Sequence, residues 1–158
     1  MRPAADVVAE LRLIPHPEGG WYREIHRSPL LVDTPHGRRA AITSIYYLLQ
    51  AGQKSRWHVV RADEVWHFHD GAALELLVYQ PATATLTRRM LGRISDGQES
   101  IGVVHAGEWQ AARSTGAWTQ VGCDVGPGFE FEDFQFVAAV ADHERHFRGA
   151  LAASADLL

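Results

Sequence analysis

One cysteine, Cys123, stands among 158 residues, so no disulfide can form within the chain and its fold must rest on a packed core. The opening residues Met1-Arg2-Pro3-Ala4-Ala5-Asp6 lack the apolar stretch of a secretory signal. Together with the lone thiol, that predicts a reducing, cytoplasmic setting. Long hydrophobic runs are missing as well. Gly, Arg, Asp or Gln interrupts every apolar stretch before the roughly 20 residues needed to cross a bilayer, so no membrane partner is expected. Positive charge is in the minority: 15 Lys and Arg against 19 Asp and Glu give a net charge of -4, spread along the chain, which excludes the basic footprint of a nucleic-acid binder. No internal repeat occurs, and no glycine-rich phosphate loop joins a strand to a helix, which excludes P-loop nucleotide hydrolysis. The expected partner is a small molecule.

What the chain does have is β patterning. Asp6-Val7-Val8-Ala9-Glu10-Leu11 carries apolar residues on one helical face before Pro15 and Pro17, predicting one short opening helix. After it, runs rich in aromatic and β-branched residues alternate with turn signals about every ten residues. Strands are predicted at Trp21–His26, Ala41–Leu49, Arg56–Val60, Glu64–Phe68, Ala73–Gln80, Ala84–Leu91, Glu99–His105, Gly107–Ala112, Trp118–Val125 and Phe136–Val140. His36-Gly37, Asp70-Gly71 and Gly126-Pro127-Gly128 are among the reversals between them. Asp142 ahead of Glu144-Arg145-His146-Phe147-Arg148 predicts a short C-terminal helix with an Asp cap. The expectation is one all-β domain over residues 1–158, its core about 13–142, with a short helix at each end.

The segment from Gly52 to Gly71 resembles the first motif of the cupin superfamily, which sets a glycine, two histidines, a glutamate and a second glycine at fixed intervals. Gly52, His58, Glu64 and Gly71 fall in register, and Val60 stands where the second histidine belongs. His105-Ala106-Gly107-Glu108-Trp109-Gln110 echoes the second motif, with Gln110 in place of its histidine. Within the superfamily the chain is similar to the cupin-5 subfamily through His16-Pro17-Glu18-Gly19-Gly20-Trp21-Tyr22-Arg23-Glu24, Ile45-Tyr46-Tyr47-Leu48-Leu49, Asp63-Glu64-Val65-Trp66-His67-Phe68-His69 and Val121 to Phe134. The resemblance implies a double-stranded β-helix, or jelly-roll barrel, commonly a homodimer, with a pocket inside the barrel.

In that barrel His58 and Glu64 would face inward. A metal-binding cupin supplies three histidines and a glutamate there, whereas this chain offers His58, Glu64 and Gln110, a poor donor set for a tight centre, so no cofactor is expected. His67 and His69, on the opposite parity from Glu64, would face outward. Without metal, His58 is the candidate general base, its ordinary pKa letting it exchange protons near neutrality. The resemblance to deoxysugar epimerases of the superfamily implies a histidine paired with an acid and a tyrosine donor. Glu64 matches by motif, and Asp133, Tyr46 and Tyr47 are candidates by neighbourhood. Arg56 shares the parity of His58 and would hold a substrate carboxylate or phosphate; Trp66, Phe68, Trp109, Gln110 and Glu132 are further candidate ligand contacts. The expected function is a metal-independent isomerase or epimerase acting on a sugar, nucleotide-sugar or other carbonyl compound. The alternatives are a non-catalytic small-molecule binder and a metal-dependent oxygenase. Pro15 to Gly20 is read either as a flap over the barrel mouth or as a connector.

Overall fold

The computed structural model describes residues 2–136. The expected strand end at Val140, the helix after Asp142 and the C-terminal tail lie outside the described residues. The chain opens with helix α1 (Ala4–Leu11), whose Asp6 carboxylate lies at the positive end of the helix dipole. Val7, Val8 and Leu11 fall on one face and pack against Leu48 and Trp118. No helix among the described residues is long and apolar enough to cross a membrane.

Strands follow in the order β1 (Ile14–Pro15), β2 (Trp21–Arg27), β3 (Leu31–Thr34), β4 (Gly37–Ala40), β5 (Thr43–Gln50), β6 (Lys54–Val60) and β7 (Asp63–Gly71). The rest are β8 (Leu74–Gln80), β9 (Thr85–Leu91), β10 (Ile101–Val104), β11 (Trp109–Ser114), β12 (Trp118–Gly126) and β13 (Phe134–Phe136). One sheet runs β1-β2-β5-β12-β7-β10 and the second β13-β6-β11-β8-β9, with β3–β4 a separate hairpin. All these strand pairs are antiparallel. The two sheets form the all-β sandwich that the alternating pattern predicts, with the jelly-roll form that the resemblance to cupins implies.

The ten predicted strands correspond to observed ones wherever they fall among described residues; β1, β3 and β4 are additional. Ile14-Pro15 is too short to show alternation. Leu31–Thr34 and Gly37–Ala40 carry charged and exposed residues, and they pair only with each other.

Strand alternation builds the core. Leu74, Leu76 and Val78 of β8 point between the sheets and meet Tyr47 and Leu49 of β5, Trp66 of β7, and Val121 and Cys123 of β12. The intervening Leu77 and Tyr79 join Trp57, Trp109 and Ala111 on the other face of the smaller sheet. A fully buried side chain of this kind stabilises by about 1.5–3 kcal/mol, so Trp66, 1% exposed, is worth more to the fold inside than at a pocket mouth.

One irregularity decides the site. Between β6 and β11, Gln110 pairs with His58 and Ala112 with Ser55, so β6 advances three residues where β11 advances two. This bulge inverts the inward parity between Ser55 and His58. Both are buried, whereas Arg56 is turned out.

Candidate functional site

A cavity of about 270 Å³ opens between the sheets near their β1 and β13 ends. Its deep polar groups come from three directions. His58 projects from β6, Glu64 and Cys123 project from β7 and β12 of the facing sheet, and His16 and Glu18 come from the segment between β1 and β2. That segment is seated on the barrel as a strap. His16 and Gly20 share a backbone hydrogen bond of 3.0 Å, and the Tyr47 hydroxyl donates to the Gly19 carbonyl at 2.6 Å. Gly19 has φ +110 and a Cβ there would stand 2.1 Å from the Lys54 carbonyl oxygen, so only glycine lets the strap close this tightly and drive Glu18 inward.

Glu18 is 7% exposed. The Ser55 hydroxyl donates to its Oε1 at 3.0 Å, and its Oε2 lies 3.4 Å from His58 Nε2. His58 Nδ1 lies 2.7 Å from the Arg56 carbonyl oxygen, a group that can only accept. The proton of the neutral ring therefore sits on Nδ1, leaving the Nε2 lone pair facing Glu18 and the cavity. His16 has the opposite tautomer: its Nδ1 accepts from the Glu18 backbone N–H at 3.1 Å. The His58 ring also stacks on Phe134, centroids 4.9 Å apart.

On the facing sheet, Trp66 Nε1 donates to Gln110 Oε1 at 2.9 Å, and Gln110 Nε2 donates to Glu64 Oε2 at 2.6 Å. These two bonds fix the amide orientation. Burial pushes Glu64 from its ordinary 4.5 up to about 7, against the opposing pull of His58. Burial raises Glu18 as well, and it lowers both His58 and His16. The Cys123 thiol is held well up by burial and by the nearby Glu64 carboxylate, so it stays protonated. At neutral pH the cavity thus holds imidazoles that are bases without being cations, and in Glu64 a carboxyl able to carry a proton.

The donor set does not suit a metal. Gln110 turns its carbonyl oxygen to Trp66 and its NH2 to Glu64, so it has no lone pair to offer beside that carboxylate. Val60, where a second histidine would stand, offers no donor atom beside the His58 Nε2 lone pair. Among the described residues no group of three His, Cys, Asp or Glu could hold a metal ion.

Of the residues singled out from the sequence, His58 and Glu64 share the cavity wall. Gln110 lies behind Glu64 as the relay just described. Trp66 and Phe68 belong to the core between the sheets, and Trp109 to the cluster on the other face of the smaller sheet. None of these three lines the cavity. Arg56, turned out by the bulge, donates to the Pro17 carbonyl at 3.2 Å and lies 4.4 Å over the Phe136 ring. Asp133 is held by Arg39 through two hydrogen bonds of 2.6 and 3.0 Å, which depress its pKa. Glu132 pairs with the same arginine at 2.8 Å and is otherwise in solvent. Tyr46 packs away from the cavity, against His69 and beneath Arg23. His67 and His69 face outward as parity predicts, His67 Nε2 lying 3.0 Å from Asp124 and His69 standing over Gly122. Sequence reasoning missed His16 and Glu18 as wall residues; the paired glycines after them, which permit a close backbone approach, were the available signal. Tyr22, also missed, is the tyrosine lining the cavity among the described residues.

A jelly roll of two antiparallel sheets with a polar-floored cavity between them is the arrangement of a cupin. The family model for "Cupin superfamily (DUF985)", Cupin_5, matches residues 5–137, and the chain belongs to that family. A protein of Shewanella oneidensis solved by X-ray crystallography is 32% identical, with a TM-score of 0.83 over 100% of this chain and 98% of that one. A hypothetical protein from Leishmania major is 28% identical, with a TM-score of 0.84 over 96% of this chain and 98% of that one. A cupin 2 conserved barrel domain protein from Rhodopseudomonas palustris shares the fold at 14% identity, with a TM-score of 0.61 over 87% of this chain and 83% of that one. No curated protein matches the chain.

Proposed function

We propose that this cupin is a metal-independent enzyme that binds a small carbonyl compound and moves a proton at the carbon beside the carbonyl, as an isomerase or epimerase does. The observation that carries the reading is the His58 ring. Its Nδ1–H is tied to the Arg56 carbonyl, and its bare Nε2 stands 3.4 Å from Glu18 in a cavity shared with a second buried acid. In this reading His58 Nε2 takes the proton as the C–H bond breaks, and the electron pair becomes the C=C bond of an enolate. Protonated Glu64 donates to the enolate oxygen, and Glu18 balances the imidazolium. For an α-hydroxy carbonyl compound, return of that proton from His58 to the former carbonyl carbon, with the hydroxyl proton passing to Glu64, gives the isomer; the epimer forms where a second donor in the cavity wall protonates the opposite face. With its pKa raised to about 7, Glu64 carries its proton in a large fraction of molecules at neutral pH.

Aliphatic and aromatic side chains such as Ile14, Ile45, Val125, Phe129 and Phe134 make much of the wall, which favours a carbonyl compound less hydroxylated than a free sugar. The same wall also suits a binder without turnover. Deuterium uptake from D2O into a panel of aliphatic ketones, keto acids and keto sugars, followed by NMR, separates the two. The wild-type protein should exchange the α-hydrogens of at least one compound, and His58→Gln should lower that rate about a hundredfold or more. Equal exchange by both proteins would remove His58 as the base.

A further inference from the structure

Charge is distributed unevenly along this cavity. The floor carboxyls, Glu18 and Glu64, are ion-paired to no lysine or arginine among the described residues, so the floor offers an anion no cation and some repulsion. The arginines that line the cavity are Arg12, Arg23 and Arg27. Arg27 is already neutralised by Glu24 at 2.9 Å and Glu130 at 2.7 Å. Arg23 has a buried Nε with no hydrogen-bond partner among the described residues. Arg12 is exposed and makes no ion pair among them.

The backbone at Arg12 adds a second, independent observation. It closes α1 in the left-handed conformation, φ 53 and ψ 46, where glycine or asparagine normally sits because a Cβ is unfavourable there. Among the described residues one other non-glycine, Ala84, has positive φ. A glycine would cap this helix better, so the arginine side chain brings something the cap does not need. The apolar wall of the same cavity reaches solvent at Ile14 and Phe131, 57% and 55% exposed.

We infer that the cavity takes an amphipathic monoanion: its carboxylate is held at the rim by Arg12, its apolar body lies between Ile14 and Phe131, and its uncharged carbonyl oxygen rests on the floor near His58 and Glu64. The inference names the ligand class for the pocket proposed above and rests on that reading for the floor contact only. An anionic group on the floor is disfavoured, because it would be buried against the oxygens of Glu18 and Glu64, which no lysine or arginine among the described residues pairs.

The test is calorimetric binding of 6-oxoheptanoate, its methyl ester and hexylamine to the wild-type protein, Arg12→Gly and Arg12→Lys. The acid should bind the wild type about fivefold or more tighter than the ester, the gain expected of a part-exposed ion contact. Arg12→Gly should erase that preference without weakening the ester, and Arg12→Lys should restore part of it. Equal weakening of acid and ester by Arg12→Gly, or no effect on either, would overturn the assignment of the carboxylate to Arg12. Tighter binding of hexylamine than of the acid would overturn the anion class altogether. Failure of both acid and ester to bind would also overturn it, and the deuterium assay would then tell whether the pocket reading falls too: His58-dependent exchange into an uncharged ketone leaves that reading standing.

Discussion

Replacing Glu64 by glutamine should make the protein more stable above neutral pH, which is unusual for a buried residue that accepts a hydrogen bond. Glu64 titrates at about 7 in the fold against an ordinary 4.5, because burial penalises its ionised form. A tenfold change in proton affinity is about 1.4 kcal/mol, so keeping the carboxylate ionised costs the fold about 3 kcal/mol. The sign follows from linkage. The folded chain retains the proton after the unfolded chain has released it, so the contribution is fully present below pH 4.5 and is lost as the pH climbs through about 7. Glutamine has no such proton, and its oxygen can still accept from Gln110. Urea unfolding of both proteins between pH 5 and pH 8.5 should therefore show the wild type losing about 2–3 kcal/mol relative to Glu64→Gln, a midpoint difference of about 1 M. A stability difference that stays constant over this range, or one that grows in favour of the wild type with rising pH, would refute the account of a carboxyl held protonated by its surroundings.

Two further substitutions probe the scaffold of the site. Gln110→Leu keeps the volume but leaves Trp66 Nε1 and Glu64 without their shared partner, so it should destabilise by about 2 kcal/mol in urea and move the Glu64 carboxyl titration, read by carbon-13 NMR, further upward. Gly19→Ala places a methyl group against the Lys54 carbonyl at a φ suited to glycine, and should cost about 3 kcal/mol while releasing the strap and abolishing ligand binding.

The balance between what the sequence discloses and what it hides follows from the physics of each element. His58 and Glu64 are legible because a strand has period two and a motif interval carries that period from one strand to the next. Arg56 is not, because one extra residue in β6 reverses the parity that would have aimed it inward. Trp66, Phe68 and Trp109 read as ligand contacts only if area burial is set aside; in the fold the core takes them, and the polar edge of Trp66 is satisfied by Gln110. Asp133 and Glu132 look like a reactive pair in isolation, yet their partner Arg39 lies on β4, in a hairpin whose exposed, charged residues give no strand signal. His16 and Glu18 were hidden for another reason. Their burial depends on a loop folding back over the barrel, a long-range event announced only by the glycines that make the close approach possible.

The proposed chemistry needs a histidine that is an uncharged base inside the barrel, and nitrogen-15 NMR of the imidazoles reads that state directly. In the wild-type protein at pH 7, His58 should show a protonated Nδ1 and a bare Nε2, with a titration midpoint below the ordinary 6.5 because burial disfavours its charged form. A proton on Nε2 in the neutral ring, or a midpoint above 6.5, would contradict it.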